Sequence, residues 1–238
     1  MKHWNPPKRP AEFTEYQLIE SILTGEFAID STLPAERELS EMLGVTRPTL
    51  REVLQRMERD GWVDIQQGKA TRVRNYFVEG NFGVLSSIVQ HEDHVTSEFT
   101  GNLLMLRRLL APTYTRLAVE NDSEVIRSVL IGWETLEEKP EAYSVFDWNF
   151  HHQLAVSSGN PVFPLILNGF ESIYLVMGRQ YYALSGAYQL SNYFYESLQQ
   201  PITGKDGLKA EKICTEVMAK SEIIWRQLLN GVDEEENI

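Results

Sequence analysis

Two groups of side chains in this 238-residue chain have types and spacings that could do chemistry. The first is cationic and hydroxylic. In "GVTRPTLREVLQRMERDGWVDIQQGKATRVR", residues 44–74, Thr46, Arg47, Thr49 and Arg51 crowd into a short stretch, and Lys69, Arg72 and Arg74 follow around Gly68. A guanidinium carries two parallel donors that match guanine O6 and N7, and threonine hydroxyls suit phosphate or base contacts. The second group is Asp147 and His151 in "FDWNFHHQLAVSSGNP". Four residues apart, they could share a metal or form an acid–base pair. After His152 the chain contains no histidine, so a metal would have two ligands, too few without help from Asp, Glu or water. A structural hydrogen bond between Asp147 and His151 is the expectation, with no metal site. Neither a glycine-rich phosphate loop nor a Ser/His/Asp order is apparent, so no catalytic residues are expected and the chain does not read as an enzyme.

The elements that must position the first group are three short helices and a hairpin. "FTEYQLIESILTGEF" puts Tyr16, Ile19, Ile22 and Leu23 on one helical face, with Gly25 suited to the residue after a helix end. "STLPAERELSEMLGV" opens a second helix at Pro34, which ends near 43 and spaces Leu39, Met42 and Leu43 for burial. In the third, 47–59, Thr46 is the N-cap, Pro48 falls in the first turn, and Leu50, Val53, Leu54 and Met57 repeat at i, i+3, i+4, i+7. Burying that stripe leaves Arg47, Thr49 and Arg51 at the exposed leading end, where a recognition helix meets the major groove. "WVDIQQGKATRVR" alternates Trp62, Val63, Ile65 and Val73 about Gly68 and reads as a two-stranded wing.

Charge is distributed unevenly. The formal net charge is −12; residues 1–78 hold 11 Lys and Arg against 12 Asp and Glu, and the remaining 160 hold 11 against 22. The C-terminal two-thirds should therefore repel nucleic acid. A single cysteine, Cys214, excludes an internal disulfide, and "MKHWNPPKRPAEF" lacks the apolar run of a signal peptide or membrane span, so a cytoplasmic globular protein is expected.

Past residue 85 the periodicity is helical. "TSEFTGNLLMLRRLLAPTYTRLAVE" spaces Leu103, Leu106, Leu109 and Leu110 for a long buried face, and five further helical runs follow, broken at Pro140, "SSGNP" and "PITGKDG". The fold class is thus mainly α: a winged helix-turn-helix over 1–74, a linker over 75–85, an all-α bundle of six or seven helices over 86–230, and an acidic solvated tail over 231–238. "FESIYLVMGRQYYAL" places Phe170, Tyr174, Tyr181 and Tyr182 at helical spacing, where aromatics either fill a core or line an apolar pocket.

"LPAERELSEMLGVTRPTLREVLQRMERDGWVDIQQGK" resembles the DNA-binding domain of the GntR superfamily of bacterial repressors: a Leu-Pro-x-Glu-Arg-x-Leu-Ser run, then Val-Thr-Arg-x-Thr-Leu-Arg, then a Gly-aromatic pair and a wing. The resemblance implies that Arg37, Thr46, Arg47, Thr49 and Arg51 contact double-stranded operator DNA while Gly68 and Lys69 reach the minor groove. Pro48 stands where close relatives carry a hydroxyl residue and Gln67 where they carry a histidine, which bears on the operator sequence and not on the docking mode. The remainder resembles effector domains of the FCD type, whose Asp-x-x-x-His motif binds metal with two later histidines. Their loss here, together with "LLMLRR", "SSGNPVFPLILNG", "MGRQYYA" and "SEIIW" in that order, is similar to the FadR-type, fatty-acid-responsive branch.

From this branch follow further expectations: a homodimeric regulator, acting as repressor or activator, that long-chain acyl-coenzyme A releases from DNA, with no other cofactor and no membrane partner. Arg107 would meet a coenzyme A phosphate or pantetheine group, Tyr181 would line the acyl channel, and Ser221 and Trp225 would flank the thioester end. In "TEVMAKS" the branch carries basic and glycine residues before the serine, so Met218 and Lys220 are expected to reshape the mouth. The alternatives are a GntR-type repressor sensing a metal-bound carboxylate and, in another class, an acyl-coenzyme A binding protein or enzyme.

Overall fold

The computed structural model describes residues 10–235, with the backbone alone at 92, 97 and 227–235. The chain divides into two compact units between His94 and Val95.

In the first unit, α1 (Pro10–Leu23), α2 (Glu36–Leu43) and α3 (Arg47–Asp60) precede a hairpin of β1 (Val63–Asp64) and β2 (Arg72–Val73), then α4 (Tyr76–Glu79) and α5 (Phe82–Gln90). The stripe of α3 is inside as its spacing requires: Leu50, Val53, Leu54 and Met57 are all at most 2% exposed, packed with Leu18, Ile19 and Ile22 of α1. Each such side chain stabilises by about 1.5–3 kcal/mol on leaving water. The α1 face is centred on Leu18, Ile19 and Ile22, with Tyr16 and Leu23 at its margins. α2 begins at Glu36 after Pro34 and buries Leu39, but Met42, expected inside, lies on its outer face and is exposed.

β1 and β2 pair antiparallel in the register Val63↔Val73 and Asp64↔Arg72. The sequence reading missed a third contributor: residues 30–33 pair with the other edge of β2, through Asp30 N to Val73 O, Val73 N to Ser31 O and Leu33 N to Thr71 O. This extra pairing lets strands of two residues hold, since an isolated hairpin is marginal in water. The expected linker, 75–85, contains α4 and the start of α5, and it is fastened to the end of α3. Asn81 donates from its backbone to Asp60 O at 3.0 Å and from its side chain to Arg59 O at 3.0 Å. The unit boundary accordingly falls at 94/95, later than the expected linker.

The second unit holds α6 (Ser97–Leu130), α7 (Pro140–Ser157), α8 (Val162–Tyr182), α9 (Ala187–Gly204) and α10 (Gly207–Glu235). α6 is broken at Asp122 (φ −146°, ψ 54°), so the unit has six α-helical segments among the described residues, besides a 3-10 turn at Trp133–Thr135. α6 packs on α7 and α10, α7 on α8, and α9 on α10. The buried face of α6 is Leu104, Ala111, Tyr114, Ala118 and Val119; Leu106 and Leu109, expected inside, are exposed, 62% in the case of Leu109. The "SSGNP" break separates α7 from α8, whereas Pro201 lies within α9, which runs on to Gly204. α10 continues through Glu235, past the expected bundle end at 230; residues 236–238 of the expected tail lie outside the described residues. Among the described residues no helix is long and apolar enough to cross a membrane.

Candidate functional site

In the first unit the candidate surface is built on the leading end of α3. Thr46 caps the helix, accepting from Thr49 N at 3.3 Å, and the two threonine hydroxyls lie 2.9 Å apart. No acid occupies the first turn, so the positive end of the helix dipole is uncompensated there and favours an anion. Arg37, Thr46, Arg47 and Arg51 are exposed and Thr49 is half-buried. Arg51 donates from Nε to Glu36 Oε2 at 2.8 Å, an exposed pair of small energetic weight that sets the side chain's direction. Among the described residues Arg37 and Arg47 form no ion pair.

The wing tip turns at Gly68, whose φ of +77° is the left-handed region that glycine occupies at no steric cost, and a side chain there would meet nothing within 4 Å. Lys69 Nζ donates to Gln66 Oε1 at 2.7 Å, which holds the ammonium at the tip. Arg72 and Arg74, grouped with Lys69 in sequence, are held differently. They face carboxylates of Asp30, Asp64 and Glu79. Asp30 is far from Arg72 in sequence and Asp64 and Glu79 lie on separate elements, and alternation alone does not show that they converge.

In the second unit, α6, α7, α8 and α10 line an apolar cavity of about 110 Å³ that is open on one side. Leu103 and Leu110 of α6, Phe170, Ile173 and Met177 of α8, and Trp225 of α10 supply its carbon walls. Phe170, Tyr174, Met177 and Tyr181 follow one another by three or four residues along α8, so the aromatic run noted in the sequence presents a single face. Gly178 lets α8 approach α7 there, since a Cβ would stand 3.1 Å from Ser144.

A polar cluster forms part of the wall. Arg107 Nη2 donates to Tyr174 Oη at 3.0 Å and to Asp147 Oδ2 at 3.4 Å, and lies 3.3 Å from His151 Nε2. Tyr174 and Tyr195 donate to the two Asp147 oxygens at 2.5 and 2.6 Å. Because a guanidinium only donates, His151 Nε2 must accept, which puts the ring proton on Nδ1, donating to Tyr114 Oη at 2.9 Å. The expected Asp147–His151 hydrogen bond is not made: the pair is 3.9 Å apart and each turns to other partners.

Burial disfavours charge on Asp147, but His151, Arg107 and the two phenol donors outweigh it and hold the carboxyl below its ordinary value. Burial also lowers His151, to about 4, with Asp147 opposing and Arg107 reinforcing that shift. Cys214 is pushed up to about 12 by burial, which makes it an inert thiol.

A metal does not fit these residues. Arg107 already places a cation beside both Asp147 and His151, and among the described residues no group of three or more His, Cys, Asp or Glu could hold an ion.

Arg107, Tyr181 and Trp225 thus meet at one cavity, with Trp225 stacked on Tyr181 at 5.9 Å between centroids. The guanidinium of Arg107 faces Asp147, so contact with a coenzyme A phosphate would require it to leave that partner. Ser221 lies one turn before Trp225 but donates to Met218 O at 2.9 Å within its own helix and does not line the cavity. Nor do Met218, which is buried, or Lys220, whose ammonium lies 5.3 Å from the Tyr193 ring centroid. Tyr195 was missed by sequence reasoning, because no pattern links position 195 to position 147.

Residues 10–73 match the family described as bacterial regulatory proteins, gntR family, and residues 74–236 match the FadR C-terminal domain. The chain is 40% identical over 221 residues to the fatty acid metabolism regulator protein of Shewanella pealeana, covering 93% of this chain and 92% of that one. It is 38% identical over 228 residues to the protein of that name from Shewanella frigidimarina, covering 96% and 95%. Among solved structures, Lar, which controls expression of the Listeria monocytogenes agr system, superposes with a TM-score of 0.64 at 18% identity over 94% of this chain and all of that one; this likeness concerns the fold.

Proposed function

Because the chain belongs to the GntR family of bacterial regulatory proteins and, within it, to the fatty acid metabolism regulators, we propose that it binds a palindromic operator as a homodimer and is released by long-chain acyl-coenzyme A. It is a transcriptional regulator and not an enzyme. On this reading the α3 leading end enters the major groove, with Arg47 and Arg51 on base edges, Thr46, Thr49 and Arg37 on bases or phosphates, and the Gly68–Lys69 tip in the minor groove. Two-fold symmetry supplies the second recognition helix one helical turn away, ~34 Å along the duplex. The work is done on cytoplasmic DNA.

The observation that carries the ligand half is the cavity, carbon-walled on α6, α8 and α10 and bounded by the Arg107–Asp147 cluster. An acyl tail gains about 0.8 kcal/mol per methylene buried in such walls. Tyr181 and Trp225 then flank the channel, while Ser221, one turn before Trp225 on α10, stands outside its lining. Ligand can release DNA only by binding better to the arrangement whose recognition helices are misplaced, so the coupling is a shift of population between two forms.

The test is a titration of labelled duplex from upstream of this gene or of fatty-acid genes, followed by oleoyl-coenzyme A or free coenzyme A. Dissociation with the former alone is expected. A selectively bound duplex that oleoyl-coenzyme A leaves in place would overturn the ligand assignment.

A further inference from the structure

The base of the wing carries five charged groups that join three segments of the first unit. Arg72 Nη1 donates to Asp30 Oδ1 at 2.7 Å and Nη2 to Glu79 Oε2 at 3.2 Å, while its Nε lies 4.0 Å from Asp64 Oδ2. Arg74 Nη2 is 3.5 Å from Asp64 Oδ1, and its buried Nε, without a hydrogen-bond partner, is 3.8 Å from Glu79 Oε2. Glu79 also accepts from Asn75 N at 3.2 Å. Three carboxylates therefore surround two guanidiniums. Arg72 opens β2 and Arg74 directly follows the strand, its N–H still donating to Trp62 O, so the two, two residues apart, share a face of the wing; the strand descends from the Lys69 tip, and neither side chain is more than 35% exposed. Lys69, by contrast, is exposed at the tip, and among the described residues its ammonium is held by Gln66.

We propose that Asp30, Asp64 and Glu79 withhold Arg72 and Arg74 from DNA phosphates, so that the wing meets the duplex through its tip alone; Glu79, the member on α4, is a positioning residue for the wing's cations. This rests on the DNA-binding reading above. The physical case is one of competition. A phosphate must displace a carboxylate that is already in contact, and a wing base with three acids and two bases has no net attraction for a polyanion. The consequence is fewer displaced counterions and a shallower dependence of affinity on salt than the sequence's cluster of Lys69, Arg72 and Arg74 suggests. Selectivity then rests more on α3, because phosphate contacts are blind to sequence.

The number of phosphates neutralised is read from the slope of log K against log salt, roughly 0.9 per contact. The intact protein is titrated with operator and with a scrambled duplex across a salt series, alongside Arg74→Gln, Arg72→Gln, Asp30→Asn/Glu79→Gln and the last combined with Arg72→Gln. Asn suits position 30, where the backbone is left-handed at φ 65°. The arginine variants should keep the wild-type slope. The double acid variant should steepen it by about one contact or more, raise affinity for the scrambled duplex several-fold, and return toward wild type when Arg72→Gln is added. Slopes lowered by about one contact in Arg72→Gln or Arg74→Gln, or an unchanged slope in the double acid variant with its thermal unfolding intact, would overturn the proposal while leaving wild-type selectivity in place. Wild-type binding without preference for operator would instead overturn the DNA-binding reading.

Discussion

Held as a neutral imidazole between Arg107 and Tyr114, His151 makes stability depend on pH in one direction. Its ordinary value is 6.5 and the folded value about 4, so between these the unfolded chain binds a proton that the native state refuses. Stability must then fall as pH drops from 6.5 to about 4, by on the order of 3 kcal/mol. Asp147, lowered in the fold, adds a loss in the same direction only below the ordinary carboxylate range. Urea unfolding from pH 7.5 to 4.5 should show this slope in the wild type and its reduction in His151→Gln; equal slopes would remove His151 as the source. The spacing of Asp147 and His151 was legible in the sequence, but their partner was not. "LLMLRR" offers Arg107 and Arg108 equally, and only the fold shows that Arg107 turns to the cluster while Arg108 pairs with Glu222 at the surface.

At the scale of elements, the joint between α3 and the linker is a close backbone approach. A Cβ at Gly61 (φ +99°) would stand 2.6 Å from Glu79 O and Gly80 Cα, whereas one at Gly68 (φ +77°) would meet open space. Both alanine variants carry the left-handed penalty of about 1–2 kcal/mol, and only Gly61→Ala must also push the linker away. Chemical denaturation should therefore find Gly61→Ala the more destabilised by at least about 1 kcal/mol; equal losses would mean that the linker is not clamped there. Element identities followed from local rules: the α3 stripe, the Thr46 cap and the Gly68 turn all hold. The errors came from tertiary placement. Leu106, Leu109 and Met42 satisfy a helical period yet face outward, because periodicity defines a stripe and only the neighbouring helices decide which part of it is covered. The third segment at the wing, 30–33, carries no alternation to announce it.

For the whole molecule the question is how a chain of net charge −12 would hold a polyanion, as the proposed function requires. The two groups of opposing character, a cationic helix end and an acidic helical domain, were visible in the sequence as an uneven distribution of charge, and the wing's acids sharpen the contrast. With Arg72 and Arg74 occupied by carboxylates, recognition on the proposed DNA-binding reading depends on few side chains, chiefly Arg47 and Arg51 at the end of α3 with Lys69 at the tip. The most direct measurement compares equilibrium binding of operator and scrambled duplex by wild type and Arg47→Ala at moderate salt. The account predicts a strong wild-type preference, and in Arg47→Ala a loss of about 1–3 kcal/mol confined to operator. Equal and weak binding of both duplexes by folded wild type, even at low ionic strength, would contradict it.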